Sequence, residues 1–168
     1  CALPILGLED VKKRAKKMSL LEPNELARLI EKKSIPYVIG PQGEIYIVDH
    51  HHLCRALWSI GQKKAVLGKE LADWSDLAVK EFWRRMDKNG YCWAIDSQGH
   101  RRPYSAIPKH VSDLTDNVWR SLARAIRGDA FTNQDTPFQE FIWGDYFRTF
   151  MTQRLLEHDF ELAKIGRA

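Results

Sequence analysis

The residues best suited to chemistry lie in one short run, Asp49-His50-His51-His52, followed a helical turn later by Arg55. Histidine titrates near neutral pH, so this run can supply both a general acid and a general base. Arg55 adds a fixed cation whose planar donors suit a carboxylate or a phosphate. Successive residues on a helix are turned by ~100°, so three adjacent histidines cannot converge from a helix on one metal ion. His100, His110 and His158 have no i, i+4 spacing with the run, and the pattern favours an anion site over a metal site. The competing structural reading is a polar turn whose side chains are satisfied by their neighbours.

The elements on either side place the run. Glu44-Ile45-Tyr46-Ile47-Val48 is β-branched and aromatic, which predicts a strand, and Leu53 to Ile60 is helical in character. Strand, polar turn and helix put unpaired helical N–H groups and the positive end of a dipole beside Asp49 to His52, with Asp49 as the cap. Upstream, Pro41-Gln42-Gly43 separates two strand-like runs, so Tyr37 to Ile39 and Ile45 to Val48 are expected to pair as an antiparallel hairpin, with the helix running from about His52 to Ile60. Cys54 lies in the apolar part of that helix and reads as a small buried hydrophobe rather than a nucleophile. Glu9 and Asp10 open the first helix, where acids serve either as dipole partners or as a general base.

The remaining pattern is α+β. Leu8 to Met18 is a helix; Asn24 is a candidate cap for a second; Lys64 to Leu71 and Tyr91 to Ile95 are strand candidates; Ser75 is placed to cap a helix running through Met86. Leu114 to Ile126 and Pro137 to His158 are helical, and the aromatic residues of Phe138 to Met151 predict a buried helix closing over the core. The organisation expected is a core over 1–110 and a helical cap over 111–168, packed as one unit.

With 44% hydrophobic and 29% charged residues over 168 positions, the composition is that of an ordinary globular chain, and no apolar run reaches the ~20 residues that span a bilayer. The formal charge is +4. Much of that excess lies in Lys12-Lys13-Arg14-Ala15-Lys16-Lys17, either a solvated helix face or a contact for nucleic-acid phosphates. Cys1, Cys54 and Cys92 have no C-x-x-C spacing, which points to a reducing compartment and a cytoplasmic location. A lipoprotein anchored through Cys1 is the alternative.

Val48-Asp49-His50-His51-His52-Leu53-Cys54-Arg55-Ala56-Leu57 resembles the strand-to-helix motif of the ParB-like nuclease family, within the wider ParB and sulfiredoxin-like superfamily. The resemblance takes in the hairpin from Val38 to Gly43, Asp73 with Ser75-Asp76-Leu77, Glu81-Phe82-Trp83, Arg120-Ser121-Leu122-Ala123 and Phe138 to Arg148, hence nearly the whole chain. Gly7, Asp10-Val11 and Arg14 look like the family's glycine, acid, valine and basic residue. It implies a small mixed sheet with helices, followed by a mainly helical C-terminal extension, and a cleft at the polar turn. In relatives that cleft takes nucleotides or other phosphates: partition proteins hydrolyse CTP, sulfiredoxin uses ATP, and some members phosphorylate free serine. A histidine stands where sulfiredoxin has its catalytic cysteine, and histidines replace the arginine-rich box of partition proteins, which argues against both of those chemistries.

The function expected is therefore phosphoryl transfer or hydrolysis on a nucleotide or phosphate ester. Asp10, His51 and His52 are the catalytic candidates; Asp49, His50 and Arg55 are the phosphate-binding ones. The expected cofactor is a nucleotide with Mg²⁺, the ion arriving on the phosphates. The alternative is a non-catalytic nucleotide- or DNA-binding module.

Overall fold

The computed structural model describes residues 7–62, 64–132, 134, 136 and 138–164. Cys1 and the side chain of Glu9 lie outside what is described. Helix α1, Leu8–Ser19, buries Val11, Ala15 and Met18 at i, i+4 and i+7, as its periodicity predicts. Helix α2, Pro23–Lys32, is capped by Glu22 rather than Asn24. Pro23 takes the first helical position, where its missing N–H costs nothing, and Glu22 and Glu25 exchange side-chain-to-backbone bonds as a capping box.

Strands β1, Ile35–Ile39, and β2, Ile45–Ile47, pair antiparallel through Tyr37–Ile47, Val38–Tyr46 and Ile39–Ile45, in the expected hairpin. Helix α3, His51–Ser59, then carries the chain to β3, Leu67–Asp73, which lies parallel to β1. The sheet order is β2-β1-β3. A parallel neighbour requires a crossover, and α3 provides it. Strand β3 begins at Leu67 instead of Lys64 and runs on to Asp73.

Helix α4, Val79–Lys88, starts after Ala78 without a side-chain cap. Ser75 is used differently, its N–H donating to Asp73 Oδ1 at 3.0 Å in the preceding turn. Tyr91 to Ile95 is not a strand: Cys92 and Ala94 are buried against α4, and Ile95 makes only an isolated bridge to Arg101. The alternation seen in the sequence comes from packing on a helix, not from a ladder.

Helix α5, Val118–Ala125, is capped by Asn117, whose side chain accepts from Arg120 N–H. Leu114 lies in extended backbone ahead of it and is buried among α1, α2 and α3, so the helix starts later than its hydrophobic pattern suggests. Helix α6, Gln139–Arg148, is followed by α7, Gln153–His158, and α8, Phe160–Lys164. In α6, Phe141 and Phe147 are buried and Trp143 stacks on Phe131 at 4.6 Å, whereas Ile142 and Tyr146, and Phe150 after the helix, are exposed. Phe150 falls beyond the helix end, so the buried aromatic stripe is narrower than expected.

Helix α5 joins the two halves. Its Trp119, Leu122 and Ala123 pack with Phe147, Leu156 and Ala163 of α6, α7 and α8, while Phe141 of α6 enters the cluster built by α1, α2 and α3. The approach leaves little room for a side chain at two glycines. A Cβ on Gly144 would meet the backbone of Trp119 at 3.1 Å, and one on Gly7 would meet Ser121 Oγ at 2.7 Å. Gly7 thus lets the start of α1 rest directly on α5, and Leu8 N–H donates to Asp116 just ahead of that helix.

Candidate functional site

Asp49 and His50 form the sharp corner between β2 and α3. His50, the N-cap, is held in the left-handed region at φ 63° and ψ 22°, a conformation costing on the order of 1 kcal/mol or more for a residue with a Cβ. Its side chain makes no capping bond. Asp49 does not cap the helix either. It is exposed, and its Oδ1 accepts the N–H of His50 at 2.6 Å, which stabilises the corner itself.

The corner sends the next two histidines in different directions. His52 turns towards α5, where its Nε2 is 2.8 Å from Arg120 Nη1. A guanidinium has only donors, so Nε2 must be the acceptor and the ring's single proton sits on Nδ1. Burial, then the fields of Arg120, Arg124 and Arg14, push the pKa of His52 down to about 3. Burial likewise holds His51 well below the usual histidine range, reinforced by its histidine neighbours and Arg120. Neither ring is the near-neutral acid or base that residue type alone predicts. Both are uncharged at pH 7.

Behind His52 stands an ion-pair network that spacing on α5 builds. Arg120 and Arg124 recur at i and i+4 on one flank of the apolar face of α5, and Arg127 follows just beyond the helix end. Arg120 Nη2 pairs with Glu140 of α6, the ring of Phe141 lying 5.3 Å from its guanidinium. Arg124 and Arg127 reach the other oxygen of Glu140 at 3.4 and 3.1 Å, and Arg124 Nε pairs with Asp10 Oδ2 at 2.8 Å. Asp10 of α1 and His52 of α3 are therefore brought to one cluster, with the arginines of α5 between them.

Two expected members stand apart. Arg55 is half-buried, and its Nε has no hydrogen-bond partner among the described residues. Burial raises the Cys54 thiol to about 11, as befits a packing residue. His51 lines a cavity of about 570 Å³ between β2, α4 and residues 104–114. Among the described residues, no three His, Cys, Asp or Glu side chains gather in a group that could hold a metal ion. Sequence reasoning assigned no role to Arg120, Arg124 or Glu140; the available signal was the i, i+4 pair of Arg120 and Arg124 on an amphipathic helix.

Comparison with known proteins adds two findings. The model of a family described as "Putative ParB-like nuclease" matches residues 4–149. The chain is also similar to the crystal structure of protein Atu1540 from Agrobacterium tumefaciens, at 34% identity and a TM-score of 0.85, over 99% of this chain and 82% of that one. No curated protein matches it.

Proposed function

The chain belongs to the ParB-like nuclease family, and from that premise we propose that it acts on a phosphate ester, of a nucleotide or of a nucleic acid, at the first turn of α3. One observation carries the reading: the His52 ring lies 2.8 Å from Arg120 in a cluster that Arg124 joins, and beyond the effect of burial the fields of Arg120, Arg124 and Arg14 lower its pKa, so the space around that ring favours negative charge. The positive end of α3 acts in the same direction. In this reading Nδ1–H of His52 donates to a phosphate oxygen, and Arg124, about one-third exposed, exchanges part of its pairing with Asp10 for the ligand. Asp10, released from Arg124, is then the candidate to orient or deprotonate the attacking hydroxyl or water. A Mg²⁺ ion would arrive with the phosphates, because the described carboxylates do not gather into a cage.

The test is calorimetric titration with pyrophosphate and with nucleoside triphosphates, with and without Mg²⁺, alongside assays of nucleotide and single-stranded DNA hydrolysis. Binding and turnover lost in Arg124→Gln and His52→Gln, with near-normal melting, support the proposal; binding unchanged in both variants overturns it. A second reading, a non-catalytic module for nucleic-acid backbones, is favoured by Lys13, Lys16 and Lys17, all exposed on α1. Steep loss of duplex binding with salt, and no turnover, would mark that reading.

A further inference from the structure

We infer that the cavity between β2, α4 and residues 104–114 is a binding site for a small planar ring carrying an N–H or O–H edge. At about 570 Å³ it is of the size that holds such a molecule. Its aromatic wall is prearranged: Trp83 and Tyr104 stack at 5.3 Å with planes 5° apart, and Tyr46 stands edge-on to Trp83 at 5.5 Å. Tyr104 is pinned in that stack, because its hydroxyl donates to Asp87 at 2.9 Å and accepts from Arg101 at 2.8 Å. An aromatic guest can therefore pack against this wall without ordering it first.

The floor supplies the polar contact. Of the lining residues, Ile107, Leu114 and His51 are buried, and His51 is 8% exposed. Its Nε2 is buried without a hydrogen-bond partner among the described residues. A buried polar atom left unpaired is unfavourable. A ligand edge that pairs with Nε2, once the His51 side chain turns that atom towards the cavity it lines, removes that penalty. Burial keeps this imidazole uncharged, so it suits a neutral N–H, O–H or ring nitrogen and not a buried carboxylate; Lys109 at the exposed mouth is where an anionic substituent would be accepted. Because His51 and His52 diverge by ~100° on α3, this site is separate from the arginine cluster and does not depend on the phosphate reading.

A nucleobase and an indole or phenol share this chemistry, and the experiment separates them. Adenosine, cytidine, indole and p-cresol are titrated by saturation-transfer NMR and calorimetry against the full chain, His51→Leu, Ser105→Trp and Arg124→Gln. The expected result is saturable binding by at least one ring class with Kd below about 1 mM. His51→Leu should weaken it about tenfold or more while melting no lower than the parent, Ser105→Trp should block it by filling the mouth, and Arg124→Gln should leave it unchanged. Binding by nucleosides alone, or by indole and p-cresol alone, supports the site and names its ligand source. Absence of binding by all four, or binding that survives Ser105→Trp unchanged, overturns the inference even if His51→Leu fails to fold.

Discussion

His52 and Arg120, 68 residues apart in the chain, meet at 2.8 Å, and the pair fixes the protonation of the histidine. Arg120 also holds Glu140, so the second residue of α3 and the second residue of α6 are tied to one guanidinium. Removing it takes the partner from Glu140 Oε2, while Oε1 keeps Arg124 and Arg127. Arg120→Met is expected to destabilise the fold by ~3–5 kcal/mol, the usual consequence of breaking a buried pair from one side. Chemical denaturation of Arg120→Met, Glu140→Leu and the double variant checks this. The double variant should be less destabilised than the two singles added together, and simple additivity would show that the pair is not coupled.

Gly7 tests the contact between α1 and α5. Gly7→Ala places a methyl group 2.7 Å from Ser121 Oγ and should cost ~1–3 kcal/mol by overpacking. Adding Ser121→Ala removes the obstructing oxygen and should recover most of that loss. If Gly7→Ala melts like the parent, the approach of the two helices is looser than described.

The hairpin and α3 were legible in the sequence because their determinants are local: β-branched runs on either side of Pro41-Gln42-Gly43, then a polar corner before Leu53. The corner itself was legible as a site candidate, but its geometry was not. Where each histidine points depends on the left-handed backbone at His50, which no residue type announces. The titration behaviour of His52 depends on Arg120 and Arg124, delivered from distant α5. Tyr91 to Ile95 misled for the converse reason, since alternating burial against α4 imitates a strand. Sequence spacing reports which faces are apolar; it does not report what covers them.

Stability should rise with pH across the weakly acidic range. His52 is lowered to about 3 and His51 is lowered well below 6.5, so between those limits the unfolded chain binds protons that the folded chain does not. Their contribution is fully present above about pH 6.5 and is lost as pH falls towards the folded values, at up to ~1.4 kcal/mol per pH unit for each histidine. Urea unfolding at pH 7, 6 and 5 measures the slope. His52→Gln should reduce it by about half, and an unchanged slope would remove His52 from the account.

The thiols offer a labelling test. Burial raises both Cys54 and Cys92 to about 11, so at pH 8 each is almost wholly protonated and weakly nucleophilic. Peptide-resolved alkylation should show both sites protected in the native protein and modified rapidly in denaturant. Fast native labelling of Cys54 would mean that the first turns of α3 open readily, which would undercut a preformed site there.

The last prediction joins the titration of His52 to the proposed ligand. Burial is the largest cause of its low pKa, but Arg120, Arg124 and Arg14 add to it, and an anion bound beside the ring opposes their field. Pyrophosphate should therefore raise the pKa of His52 by about one unit or more, and Arg124→Gln should raise it without any ligand. By linkage, binding measured near pH 4 to 5 should then take up protons, and the uptake should fade towards pH 7, where the ring stays neutral in both states. NMR titration of the His52 ring and calorimetry in buffers of different ionisation enthalpy read the two quantities independently. A His52 pKa unmoved by saturating pyrophosphate would place the anion elsewhere. A pKa that rises in Arg124→Gln but not on ligand binding would keep the electrostatic description of the cluster and reject it as the phosphate site.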